Sequence, residues 1–248
     1  MKLAIDVPTA HTISWLRQEL GPTPRRILEV GCGRGDVAAA LVREGHDVVA
    51  IDSDSDCIEY ARSLGVTAHV AEFPLVGPEI GDRPFGTVLF TRVLHHIEQL
   101  APACKRAESL LVADGTVLLE DFAWESVNGT TAAWIIGMLR VGRALGIVPA
   151  DEWNWDAEPL DGWRQPYIEH GLHAGKAMLQ ALADHLVIES STGAPYAYRW
   201  FARYLEDHEN GYDTTQAVLD AEAQLIGAGA IVPIGLRAVA RKRSQGEN

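Results

Sequence analysis

The chain has 248 residues, 47% of them apolar, and a formal net charge of −13. That length buries a sizeable core and fits a single α/β domain over residues 1–248, and the mixed composition excludes a disordered or fibrous chain. The acidic surface repels phosphate backbones and anionic membranes, so nucleic acid and membrane partners are disfavoured.

The basic run at residues 237–243 reads as a solvated end rather than a binding patch. Cys32, Cys57 and Cys104 form neither a paired framework nor a metal-type CxxC, and residues 1–6 lack a signal-peptide core, which predicts a reducing, cytoplasmic setting. The most apolar stretch, 131–148, is broken by Arg140 and Arg143 and so cannot span a bilayer uncharged. The sequon Asn128-Gly129-Thr130 reads as a chance match. A homodimer is compatible with this reading.

In chain order, residues 9–20 carry Ile13, Leu16 and Leu20 at helical spacing and stop at Gly21-Pro22, predicting a leading helix. Residues 25–30 read as a buried strand running into Gly31-Cys32-Gly33-Arg34-Gly35, with a helix over 36–44 after it. A second strand, 47–52, precedes a helix over 55–64 that Gly65 terminates. A short third strand follows at 67–70 and a fourth at 86–91. Helical residues then run up to 112, and Asp114-Gly115 turns the chain into a fifth strand, 116–122. Strands alternating with helices at this spacing predict a parallel sheet covered on both faces.

Beyond Phe122 the alternation lapses. Residues 126–146 read as a helix with Trp134, Met138, Val141 and Leu145 as a packed stripe. An acidic, tryptophan-rich stretch at 151–163 separates it from a helix over 172–184 and a strand near 186–190. A further helix lies within 204–227, and an apolar strand closes the chain at 231–240.

The glycine turn stands between strand and helix, where a bare backbone lets a ligand approach. Its spacing discriminates among cofactors. Asp36 occupies the place of the third glycine of a dinucleotide fingerprint, and no Gly-Lys-Ser/Thr follows, which rules out a P-loop. Asp52 ends the second strand about 20 residues past the first glycine, where a carboxylate accepts from ribose hydroxyls. Asp52, Ser53, Asp54 and Asp56 also suit the start of the next helix as caps.

With the turn Glu29-Val30-Gly31-Cys32-Gly33-Arg34-Gly35, the acidic Asp52 and the fourth-strand segment Phe85 to Ile97, the chain resembles the class I S-adenosylmethionine-dependent methyltransferases. The likeness is to their small-molecule branch and runs from about residue 25 to 122. It implies an α/β, doubly wound, mostly parallel seven-stranded sheet with the last strand antiparallel. It also implies a cofactor-binding core at 21–122, an inserted helical cap from 126 to 163, and wider candidate acceptor-cap insertions at 126–185 and 204–228. The cofactor would be S-adenosyl-L-methionine, released as S-adenosyl-L-homocysteine, and the partner a small-molecule acceptor methylated at oxygen. In the family pattern Glu29 reaches the cofactor's amino group, the turn at Gly31, Cys32, Gly33 and Gly35 contacts its methionyl part, and Asp52 with Ser53 holds the ribose. Ala71 and Glu72 would take the adenine, and Thr91 and Arg92 would border the sulfonium and the acceptor. The pair His95-His96, at the rim of the site after the fourth strand, reads as packing and capping ahead of the alternative that either one is a base.

Methyl transfer is an in-line displacement that needs alignment and exclusion of water, with a base only where the acceptor is a hydroxyl or a protonated amine. The candidates are His170 and His173, placed before a helix, where surface histidines are commoner, and Asp121 at the end of the fifth strand, which equally suits a solvated loop position. No cluster of oxygen ligands marks the strand ends, which predicts no metal. Trp153, Trp155, Trp163 and Tyr167 suit either a lid over an acceptor or a satellite core beneath a loop. Two other classes stay open, a cofactor-binding protein of this fold with a non-methylating role and a nicotinamide oxidoreductase of shared topology.

Overall fold

The structure is a computed structural model that describes residues 2–77, 80, 82–206 and 208–243. Strands and helices alternate through β1 (Arg26–Val30), α2 (Asp36–Arg43), β2 (Asp47–Asp52), α3 (Ser55–Ser63), β3 (Thr67–Val70), β4 (Phe85–Thr91), α4 (Leu100–Leu110) and β5 (Leu111–Phe122), after a leading α1 (Asp6–Leu20). Next come α5 (Gly129–Ala144), α6 (Pro159–Glu169), α7 (Gly175–His185), β6 (Leu186–Ala194), α8 (Tyr198–Tyr204), α9 (Gly211–Gly227) and β7 (Gly235–Lys242).

The seven strands form one sheet in the order β3-β2-β1-β4-β5-β7-β6. β1 pairs parallel with β2 on one side and β4 on the other, Val30 lying opposite both Ile51 and Phe90. Near-continuous apolar runs such as Val48–Val49–Ala50–Ile51 suit a sheet buried on both faces. At β1 the order of strands reverses. A doubly wound sheet opens a crevice at such a point, beyond the carboxyl ends of the strands. β7 runs antiparallel, as expected: Arg237 meets Glu120 and Lys242 bonds the Leu111 carbonyl, so the two strands run past each other in opposite directions.

The chain gathers into two compact units. One takes Thr12–Asp121, Lys176–Thr192 and the segment from Arg237, and carries the sheet; its core joins Leu16, Ile27, Leu41, Ala50, Ile58 and Leu118. The other takes the segment up to His11 with Phe122–Gly175 and Gly193–Leu236, and its core joins Phe122, Ile135, Leu139, Trp163, Tyr198 and Phe201.

Several expectations needed correction. Asp114-Gly115 does not precede β5 but interrupts it: Phe85 pairs with Leu111 and Thr87 with Thr116, so the dipeptide turns within a bulge of the strand. The stretch at 151–163, read as an intervening segment, leads into a helix, α6, that carries Pro166 in its interior. On α5 the buried face is Ile135, Ile136, Leu139 and Gly142, while Val141 and Leu145 are exposed, so the packed stripe is one helical face over from the expected one. Asn128 caps α5 by accepting the Thr131 amide. Among the described residues no helix is long and apolar enough to cross a membrane.

Candidate functional site

The carboxyl ends of four strands converge on one cleft of about 250 Å³. Val30 and Gly31 come from β1, Ile51, Asp52 and Ser53 from β2, Ala71, Glu72 and Phe73 from the chain after β3, and Val93, His96, Ile97 and Glu98 from the chain after β4. The structure thus brings together Gly31, Asp52, Ser53, Ala71 and Glu72 of the residues singled out from the sequence. Phe73 is anchored by an edge-on contact with Phe90 on β4. The lining carries three carboxylates and neither lysine nor arginine.

Asp52 ties β2 to the glycine turn. Its Oδ2 accepts the Gly33 amide at 2.8 Å and its Oδ1 the Asp54 amide at 3.0 Å. Asp54, not Asp52, caps α3, accepting from the Asp56 and Cys57 amides, which leaves the outer lone pairs of Asp52 for the cleft. The glycines of the turn answer first to the protein's own packing. At Gly31, φ is +66° and a Cβ would lie 2.3 Å from Val93 Cγ2; at Gly35 it would lie 2.6 Å from Ala61 Cβ. Cys32 is half-buried with its thiol toward the Gly33 carbonyl, and burial together with the Glu29 and Asp52 carboxylates raises its pKa, keeping it an inert thiol.

Glu29, one residue before the end of β1, is buried. Its Oε1 accepts the Thr91 hydroxyl at 2.9 Å, while its Oε2 has no well-formed hydrogen bond. Burial pushes its pKa up from 4.5 to about 7; the Thr91 hydrogen bond, Arg92 and the Ala38 amide at the start of α2 offset only part of this. A buried carboxyl group with one oxygen short of a donor is unusual enough to suggest a missing cationic partner.

Thr91 is consumed by Glu29, and Arg92 turns away from the cleft. Arg92 holds the left-handed conformation, φ 59°, and its guanidinium lies 3.3 Å from Glu120 Oε2. Glu120 is buried on β5, where its Oε2 also accepts the Thr12 hydroxyl at 2.6 Å and its Oε1 accepts Arg237 Nη2 at 2.6 Å.

The base candidates fare differently. His170 caps the end of α6, exposed, with Nδ1 2.6 Å from the Pro166 carbonyl, so it ends one helix instead of preceding another. The His173 carbonyl accepts the Trp124 indole, holding the connection into α7 in the same unit. Asp121 is fully buried and its Oδ1 lies 2.6 Å from His95 Nδ1, with Oδ2 taking the His95 amide. The His96 ring packs on that of His95, centroids 4.0 Å apart, and reaches the cleft. Desolvation and His95 lower the His96 pKa, keeping its imidazole neutral near pH 7, while Asp121 opposes the shift.

The sequence places the strand end up to Val93 and the histidine pair at the rim of the site, and Val93 and His96 do line the cleft, whereas Ile97 and Glu98 were missed. The signal available was only their place just after the fourth strand; the turn that presents them, Leu94–His96, is a single 3₁₀ turn without a periodic signature. The tryptophans resolve as a core: Trp163 is fully buried, donates to the Trp124 carbonyl, stacks on Trp153 and meets Tyr167 and Trp200 edge-on.

Comparison with known proteins places this geometry. The family described as "Methyltransferase domain" matches residues 9–174. An uncharacterized methyltransferase of Mycobacterium tuberculosis (strain ATCC 25618 / H37Rv) is 27% identical over 153 residues, covering 60% of this chain and 74% of the relative. A ubiquinone biosynthesis O-methyltransferase of Alkalilimnicola ehrlichii is 26% identical over 148 residues, covering 56% of this chain and 58% of the relative. The crystal structure of the N-methyltransferase NodS from Bradyrhizobium japonicum, in complex with S-adenosyl-L-homocysteine, superposes with a TM-score of 0.56 at 12% identity, covering 95% of this chain and 87% of that one. On the family match, the seven-stranded sheet and the cleft at its reversal point, the chain belongs to the class I S-adenosylmethionine-dependent methyltransferases.

Proposed function

We propose that this enzyme methylates a hydroxyl group of a small organic molecule. The half-satisfied carboxyl of Glu29 carries the reading: it fits the cofactor's ammonium, which would complete its hydrogen bonds and draw it into the ionised form. Asp52 and Ser53 are assigned to the ribose, Ala71, Glu72 and Phe73 to the adenine, and the turn at Gly31 and Gly33 to the methionyl chain. When bound, S-adenosylmethionine supplies a methyl group on a sulfonium and keeps the bonding electron pair as a neutral thioether.

The acidic stretch at 151–163 supports a neutral or cationic acceptor over a polyanionic one. The likeness to an O-methyltransferase of ubiquinone biosynthesis supports oxygen as the methylated atom. Residues 126–185 and 204–228 are proposed to select the acceptor.

Titration calorimetry with S-adenosyl-L-homocysteine, followed by mass spectrometry of a metabolite mixture incubated with S-adenosylmethionine, tests the reading. The expected result is binding, with a one-methyl mass gain on hydroxylated compounds. Gain on amines alone moves the activity to nitrogen. Binding with no methylated product favours the non-methylating alternative.

A further inference from the structure

We infer that His96 is the general base that takes the proton from the acceptor hydroxyl, held in place by the buried pair His95 and Asp121. This rests on the hydroxyl-methylation reading above. Among the described residues that line the cleft, His96 is the histidine, and it combines that place with a neutral, proton-accepting ring. Asp121 spends both oxygens on His95.

The construction is layered. Asp121, at the end of β5, fixes the His95 ring through Nδ1 and the His95 backbone through its amide, so the first imidazole is locked in position and tautomer. His96 rests on that locked ring at 4.0 Å between centroids. A base whose ring is oriented by a buried neighbour loses little freedom when the acceptor arrives. The charged and titratable groups around it are His95 and Asp121 beneath, with Asp52, Glu72 and Glu98 along the cleft.

The proton balance is simple. As the acceptor oxygen bonds to the methyl carbon, its proton passes to the free nitrogen of His96. The carbon–sulfur electron pair stays with the leaving thioether. His96 then releases the proton to solvent at the cleft's rim. Asp121 and His95 are positioning residues and exchange no proton with the acceptor.

The test uses the full chain and its H96Q and D121N variants. S-adenosyl-L-homocysteine affinity is measured by calorimetry, His96 titration by imidazole NMR, and kcat against pH with the neutral phenols catechol and 4-hydroxybenzyl alcohol as hydroxyl probes. Wild type should show kcat falling at acid pH with the NMR midpoint of His96. H96Q should bind S-adenosyl-L-homocysteine within about threefold of wild type yet lose at least tenfold in kcat, together with the acid limb. D121N, lacking the carboxylate that opposes the His96 shift, should move the NMR midpoint and the acid limb to lower pH by equal amounts.

A smaller loss of kcat in H96Q, an acid limb that survives, or a larger loss of S-adenosyl-L-homocysteine affinity would each overturn the assignment, the last by making His96 a cofactor contact. Wild type that binds S-adenosyl-L-homocysteine but methylates neither probe also overturns it. Wild type that fails to bind S-adenosyl-L-homocysteine overturns the cofactor site itself, a result the calorimetry separates from the others.

Discussion

Asp52 Oδ2 accepts the backbone amide of Gly33 at 2.8 Å, so the carboxylate assigned to the ribose also shapes the turn assigned to the methionyl chain. One side chain joins the two halves of the proposed cofactor site. Asp52→Ala should therefore weaken S-adenosyl-L-homocysteine binding by about 1–3 kcal/mol, through lost charged hydrogen bonds and a loosened turn. Calorimetry decides: affinity equal to wild type would place the ribose elsewhere.

Glu29 gives the apo protein a pH dependence of unusual sign. Its pKa is about 7 in the fold against 4.5 when exposed, so between these values the folded chain holds a proton that the unfolded chain has released. Stability from this group is intact below about pH 4.5 and falls as pH rises to 7, by about 3 kcal/mol in all. Glu29→Gln should remove that loss, because its carbonyl still accepts from Thr91. Denaturant unfolding should find the variant more stable than wild type at pH 8 and equal to it near pH 4.

The same group predicts proton release on binding. A ligand ammonium that ionises Glu29 expels its proton, so calorimetric heats for S-adenosyl-L-homocysteine near pH 6 should change with the ionisation enthalpy of the buffer. At pH 9, where Glu29 is already ionised, its contribution should vanish. A contribution that persists unchanged at pH 9 would exclude Glu29 as the source.

Gly31→Ala combines a left-handed φ of +66° with a Cβ placed 2.3 Å from Val93 Cγ2. The two costs sum to about 2–5 kcal/mol. Urea unfolding should register this loss, and adding Val93→Ala should restore part of it by vacating the space. A double variant no better than additive would mean that backbone strain dominates.

Glu222 supports the other unit from α9. Its Oε1 accepts the amides of Tyr196 and Ala197 and its Oε2 that of Tyr198, closing the start of α8. Glu222→Gln keeps one carbonyl oxygen and turns a donor toward the Tyr198 amide, which should cost about 1–3 kcal/mol in unfolding free energy. Glu222→Ala leaves all three amides without an acceptor and should cost more. Near-wild-type stability of the alanine variant would mean that water replaces the carboxylate.

The cofactor half was legible because its determinants are local. A strand, a tight turn and a carboxylate at the next strand's end recur within 31–52, and each announces itself by residue type. The rest depends on contacts between residues far apart in the chain. Glu222 capping a helix 24 residues before it leaves no pattern in either segment. His96 reads as a capping residue until β5 is seen to place Asp121 under His95. Pro166 lies inside a helix whose Trp163 is fully buried, a case where tertiary burial outweighs local preference. On α5 the apolar residues encircle the helix too evenly for periodicity to choose the inward face.

The carboxylate of Glu120 has a consequence for synthesis. It is held by Thr12 and Arg92, which leave the ribosome before it, and by Arg237, which emerges more than a hundred residues later. Until β7 is made, the nascent sheet contains an acidic side chain missing its strongest counter-charge. The edge of β5 therefore stays open to water while the intervening helices are translated, and the last strand to be delivered is the one that seals it.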